Sequence, residues 1–112
     1  MSLSVYLNAT RKTEVYSANI THNLNTMAKN VKIGKHTLYK YLWHPEEIGI
    51  KQAGELIAPL REGLKKLKSN PKKYKKFDSP NGWGLYVHFV PFVENYLTAC
   101  EQNPDAEVEV SR

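Results

Sequence analysis

The sequence predicts an α+β fold: a mainly helical single domain over residues 1–112, with three to five helices and a small antiparallel sheet pairing its N- and C-terminal strands. Three observations predict it. Period-two alternation of apolar and polar residues occurs clearly only near the two ends. The stretches between them carry apolar residues at helical spacing. Finally, nothing alternates strand with helix, as a doubly wound sheet would, and there is no internal repeat.

In "LSVYLNAT" (3–10), Leu3, Val5 and Leu7 fall on one side and Ser4, Tyr6 and Asn8 on the other, the pattern of a half-buried strand. The tail "AEVEVSR" (106–112) alternates Val108 and Val110 with Glu107 and Glu109. Neither strand is stable alone, so pairing of the two is expected. "TEVYS" (13–17) either extends the first strand or forms a short second one. A helix is predicted over 18–31 with Ser17 as N-cap, because Ile20, Leu24, Met27 and Val31 share one stripe at about 100° per residue. "HTLYKYLW" (36–43) reads as a short helix that "HPEE" ends. From Ile50, the positions Ala53, Ile57, Leu60, Leu64 and Leu67 form another stripe, which Pro59 should kink or divide. "NPKKYKKF" (70–77) suggests a helical turn with Pro71 at its first position. The turn-rich loop "DSPNGWG" (78–84) precedes an aromatic helix carrying Tyr86, Phe89, Val93, Tyr96 and Cys100, with a kink expected at Pro91. "NPDA" then returns the chain to the last strand.

The hydrophobic content of 41% is too high for a disordered chain, and no apolar run reaches the length of a membrane span. The first ten residues lack the pattern of a secretory signal, and Ser2 breaks the myristoylation motif. With one cysteine, Cys100, no internal disulfide can form, which fits a reducing cytosol and a cytoplasmic location. The sequons "NAT" (8–10) and "NIT" (19–21) are read as chance. The net charge of +5 is local: residues 65–76 hold seven lysines and no acid, against nine basic and eleven acidic side chains elsewhere.

Polar residues crowd "YSANITHNLNTMA" (16–28), although asparagine is a poor helix former. In the predicted helix, Tyr16, Asn19 and Asn23 share the flank of the apolar stripe, and His22 points nearly opposite. Paired amides, with donors and acceptors, either read a ligand edge or tie down backbone. In "SPNGWG", Asn81-Gly82 makes a tight turn and Gly84 permits close backbone approach. Free N–H groups at the following helix start can bind an anion. Trp83 either stacks on a planar group or plugs the core, and Trp43 faces the same choice. Lys72, Lys73, Lys75 and Lys76, with Tyr74 and Phe77 interleaved, either meet nucleic acid or form a solvated face. His22, His36, His44 and His88 lack metal-ligand spacing, so no metal is expected. No nucleophile elbow, P-loop or dinucleotide motif is present, and no cofactor is expected. Cys100 is expected to be packed in the core.

The elements "YSANITHNLNTMA", "LWHPEE", "SPNGWG" and the closing "PDAEVEVSR" resemble an uncharacterised family of small bacterial and phage proteins, over most of the chain. The N-I-T-H-N-L and N-G-W-G elements carry the resemblance best. Residues 29–37 depart from it, being longer than the Gly-containing turn usual there. The resemblance implies no catalytic residues.

The function expected is therefore non-catalytic binding of a small anionic or nucleotide-like ligand by Tyr16, Asn19, His22, Asn23, Trp43, Asn81 and Trp83. In a phage setting, which the resemblance implies, such a protein would sequester a host immune signal. Two alternatives stand beside it: a nucleic-acid or protein interaction module using residues 65–76, and a small hydrolase using His22. A homo-oligomer is compatible with the sequence, and no membrane partner is expected.

Overall fold

The computed structural model describes residues 2–9 and 13–112. Met1 and residues 10–12, with the end of the predicted first strand and the last residue of the first sequon, lie outside the described residues. Strand β1 (Ser2–Ala9) is the centre of a three-stranded antiparallel sheet in the order β2-β1-β5, where β2 is Thr13–Thr21 and β5 is Glu107–Ser111. Opposite Leu7 stand Tyr16 on one side and Val108 on the other, so the predicted pairing of the terminal strands is present. Leu3, Val5 and Leu7 are fully buried, as their period-two spacing requires. Each such burial contributes about 1.5–3 kcal/mol.

The predicted helix 18–31 is replaced by three elements. Strand β2 runs on to Thr21, a 3₁₀ turn covers His22–Leu24, and only Asn25–Lys29 is α-helical (α1). Tyr16, Ala18 and Ile20 lie opposite Leu7, Val5 and Leu3, so the segment also carries a period-two pattern. The sheet wins because β1 needs a partner on each edge, and asparagine, threonine and isoleucine are indifferent helix formers. The stripe itself pointed correctly to the core: Leu24, Met27 and Val31 are fully buried. Ser17 is not a cap. The cap is Thr21, whose hydroxyl accepts the Asn23 N–H at 3.3 Å.

Residues 29–37 hold an unpredicted two-stranded hairpin, β3 (Lys32–Ile33) and β4 (His36–Thr37), turning at Gly34 with φ +59°. It delays the predicted helix 36–43, so α2 covers Leu38–Trp43. Helix α3 (Gly54–Ser69) is not divided at Pro59, nor α5 (Tyr86–Gln102) at Pro91. In each helix the proline is the sixth residue, so only one intrahelical hydrogen bond is lost at the edge of the first turns. Between them α4 (Pro71–Lys75) starts at Pro71 as expected, capped by Asn70, whose side chain accepts the Lys73 N–H.

Helices α3 and α5 run antiparallel, joined by Arg61–Glu101 and Lys68–Glu94 ion pairs at 2.7 and 2.6 Å. The sheet's inner face meets α5 where Tyr16 stacks on Tyr96, ring centroids 6.0 Å apart. Among the described residues, no helix is long and apolar enough to cross a membrane.

Candidate functional site

Two of the motifs singled out in the sequence meet in space. Gly84 lies against Asn23 so closely that a Cβ there would come within 2.8 Å of the Asn23 Cβ, and its φ is +109°. That close approach is the role expected of this glycine. The Asn23 side chain donates to the Trp83 carbonyl at 2.8 Å. From inside the loop, the Asn81 carboxamide oxygen accepts the Trp83 N–H at 2.9 Å and the Ser79 hydroxyl at 2.6 Å. Backbone bonds from Ser79 to Gly84 and from Gly82 to Ser79 close the turn. The loop is thus held from both sides, yet the Trp83 indole is 70% exposed.

Beside that indole is an open groove of about 800 Å³, lined by Ser2, Asn19, Thr21, Asn23, Trp83 and His88, among others. Asn19 stands on the outer face of the sheet, opposite Ser4, and donates to the hydroxyls of Ser2 and Ser4 at 2.8 and 3.0 Å. Both donors of its amide are thereby used, and its carbonyl oxygen is left as an acceptor. Asn23 uses one donor on Trp83 and keeps its acceptor too. The expectation that these amides tie down backbone is met for Asn23, while Asn19 ties two serine side chains.

The remaining predicted residues lie elsewhere. Tyr16 is on the opposite sheet face from Asn19, because in a strand residues of odd spacing point apart. The shared flank of Tyr16, Asn19 and Asn23 existed only in helical phase. Burial, and then the neighbouring Cys100, push the Tyr16 hydroxyl above its ordinary value of 10.0. Trp43 is a core residue, 2% exposed, and stacks on Tyr39 with centroids 5.4 Å apart. His22 packs against Trp43 at 6.3 Å, its Nε2 shielded from solvent and, among the described residues, without a hydrogen-bond partner. Asn81 braces the loop and does not line the groove.

The expected anion site at the start of α5 is already filled: the Asp78 carboxylate accepts the Tyr86 N–H at 2.7 Å. Cys100 is buried as expected, and burial, with the Glu101 charge adding, pushes its thiol up to about 12. In "HPEE", ligand atoms of His44, Glu46 and Glu47 gather within 4.8 Å, but each is engaged. His44 Nδ1 lies 2.9 Å from Glu47, which also meets Lys40, and Arg112 pairs with Glu46.

Of the lysine run, Lys68 is paired with Glu94 and Lys66 donates to the Lys32 carbonyl. Lys72, Lys73, Lys75 and Lys76 are exposed, and among the described residues none meets a carboxylate. Tyr74 is buried and Phe77 half-buried, so neither is a platform for stacking bases. Lys73 and Lys75 instead lie over the Tyr74 and Tyr86 rings.

Ser2, Thr21 and His88 were missed by sequence reasoning. The strand register would have placed the first two beside Asn19, while His88 gives no signal in sequence. Comparison with protein-family models, with curated proteins and with solved structures gives no match for this chain.

Proposed function

We propose that the chain is a non-catalytic binding protein whose groove takes a small, flat, hydrogen-bond-donating molecule of the nucleobase or nucleotide class. One observation carries the reading: a 70% exposed tryptophan is held on a braced loop beside amide oxygens that, among the described residues, accept no protein hydrogen bond. An indole left in water is costly unless something covers it, and its face suits an aromatic ring. The free carbonyl oxygens of Asn19 and Asn23 suit exocyclic amino or ring N–H donors. Among the described residues the groove is lined by no lysine or arginine, and its lining suits a base better than a phosphate. A nucleotide immune signal belongs to this ligand class, and its sequestration is the biological role to which the reading extends.

Thermal melts with nucleosides, nucleotides and cyclic dinucleotides test this, alongside quenching of Trp83 fluorescence. A ligand at about 100 times its Kd should add about 2.7 kcal/mol of stability. Trp83→Ala should abolish the shift in a protein that remains folded. Absence of any shift across the panel would overturn the reading.

The second reading, nucleic-acid binding by Lys72, Lys73, Lys75 and Lys76, is favoured by one fact: these four ammonium groups lack carboxylate partners among the described residues. It requires affinity that falls steeply with salt. Gel shifts at low ionic strength that detect no complex with DNA or RNA would exclude it.

A further inference from the structure

A second groove, of about 870 Å³, lies between the β3–β4 hairpin and the outer side of α3. Its floor is apolar, from Ile33, Ala58 and Pro59, with Tyr41 as an aromatic wall set edge-on to His36 at 5.9 Å and 83°. Its rim is basic: Lys35 comes from the hairpin turn, and Arg61, Lys65 and Lys66 come from α3. Among the described residues, Glu62 is the one acid in its lining.

The walls are held in place independently of any ligand. Gly63 is buried under the hairpin, where a Cβ would come within 3.1 Å of both Ile33 and Leu38. Lys66 ties to the Lys32 carbonyl, and Glu101 takes Arg61 at 2.7 Å. Among the described residues, Lys35 and Lys65 meet no carboxylate. Lys35 and Lys65, neither paired with a carboxylate among the described residues, therefore both line a largely apolar cleft of a size that suits small molecules.

We propose that this groove binds a small organic phosphate: the phosphoryl group between Lys35 and Lys65, the apolar or aromatic body on Ile33, Pro59 and Tyr41. Lysine suits a phosphoryl group as a point charge, and the floor suits a body that inorganic phosphate lacks. This site is separate from the Trp83 groove and goes beyond the function proposed for it.

Titration of ¹⁵N-labelled protein with phenyl phosphate at low ionic strength tests the site. Saturable shifts should centre on Gly34, Lys35 and His36, and inorganic phosphate should bind more weakly. Lys65→Gln, on an exposed helix position, should weaken binding about three- to tenfold, and Glu62→Gln should strengthen it about twofold, by loss of one attraction or one repulsion. Trp83→Ala should leave the titration unchanged, which separates this result from the fate of the first groove. Equal affinity for inorganic phosphate, or no shift in the hairpin, would overturn the proposal. So would shifts that never saturate and spread over Lys72–Lys76, which would point to diffuse attraction of anions to the lysine run.

Discussion

Among the described residues, Gly84 is the one glycine that combines two backbone demands. It needs both a positive φ and the space that a Cβ would fill against Asn23. Gly84→Ala is therefore expected to destabilise the fold by about 2 kcal/mol or more, read from urea denaturation, through strain together with a clash. Asn23→Ala should cost about 1 kcal/mol for the lost bond to the Trp83 carbonyl. It should also lower the Trp83 fluorescence anisotropy as the loop loosens. The role of Gly84 was legible in sequence, since an N-G-W-G run before a helix needs close backbone approach. The fates of the two tryptophans were not. Trp43 and Trp83 have the same side chain, and which one is buried depends on the packing of Tyr39 and His22 against Trp43, contacts no local pattern encodes.

Element boundaries were legible wherever one period dominated. Strand β1, β5 and the aromatic α5 follow their apolar spacing, and Pro71 starts α4. Residues 16–21 satisfy both periods, and the choice fell to a long-range need, the second edge of β1. The two assignments make opposite mutational forecasts. Thr21→Ala should cost about 1 kcal/mol by removing the cap of the 3₁₀ turn. Ser17→Ala, mid-strand on the outer face, should stay within about 0.5 kcal/mol. Chemical denaturation of both variants checks the pair, and the reverse ranking would restore the helix. The same shift from helix to strand parts Tyr16 from Asn19. A helix sets Asn19 beside Tyr16, whereas a strand sets them on opposite faces. Asn19 and Asn23 still reach one groove, because the chain turns at His22–Leu24.

At the scale of the whole molecule, stability should fall at both ends of the pH range. Glu55 accepts backbone N–H bonds from Gln52 and Lys51, and Glu47 accepts a side-chain bond from the Lys40 ammonium, so both carboxyls are held below their ordinary value of 4.5. A depressed folded value adds stability that is present above the unfolded value and is lost as pH falls below it. The melting temperature should therefore drop as pH falls below 4.5. At the alkaline end, burial raises Tyr16, Tyr86, Tyr96 and Cys100. Their contribution is complete below the unfolded values and is lost as pH climbs past 9.0, the ordinary thiol value. Melts across a pH series check both limbs. Absorbance of tyrosinate provides a second check, because Tyr96 should ionise only as the protein unfolds.

Strand β5 closes a very long loop. Asn8 and Glu109, hydrogen-bonded across the sheet, are 101 positions apart. Beyond β1, β5 and the residue after it touch the middle of the chain: the Val108 N–H reaches the Lys51 carbonyl at 2.9 Å, and Arg112 reaches the Trp43 carbonyl at 2.7 Å. Loop closure of that span carries an entropy cost that the β1–β2 hairpin and the helices do not face. The last strand should dock after the rest has formed and peel away before the rest unfolds. Amide hydrogen exchange should then show Val108 and Val110 opening at lower free energy than Phe89 to Leu97 in α5. Until β5 arrives, Leu3, Val5 and Leu7 sit on a sheet with one raw edge. The interval before docking is thus the moment at which this chain is most open to pairing with a stray strand.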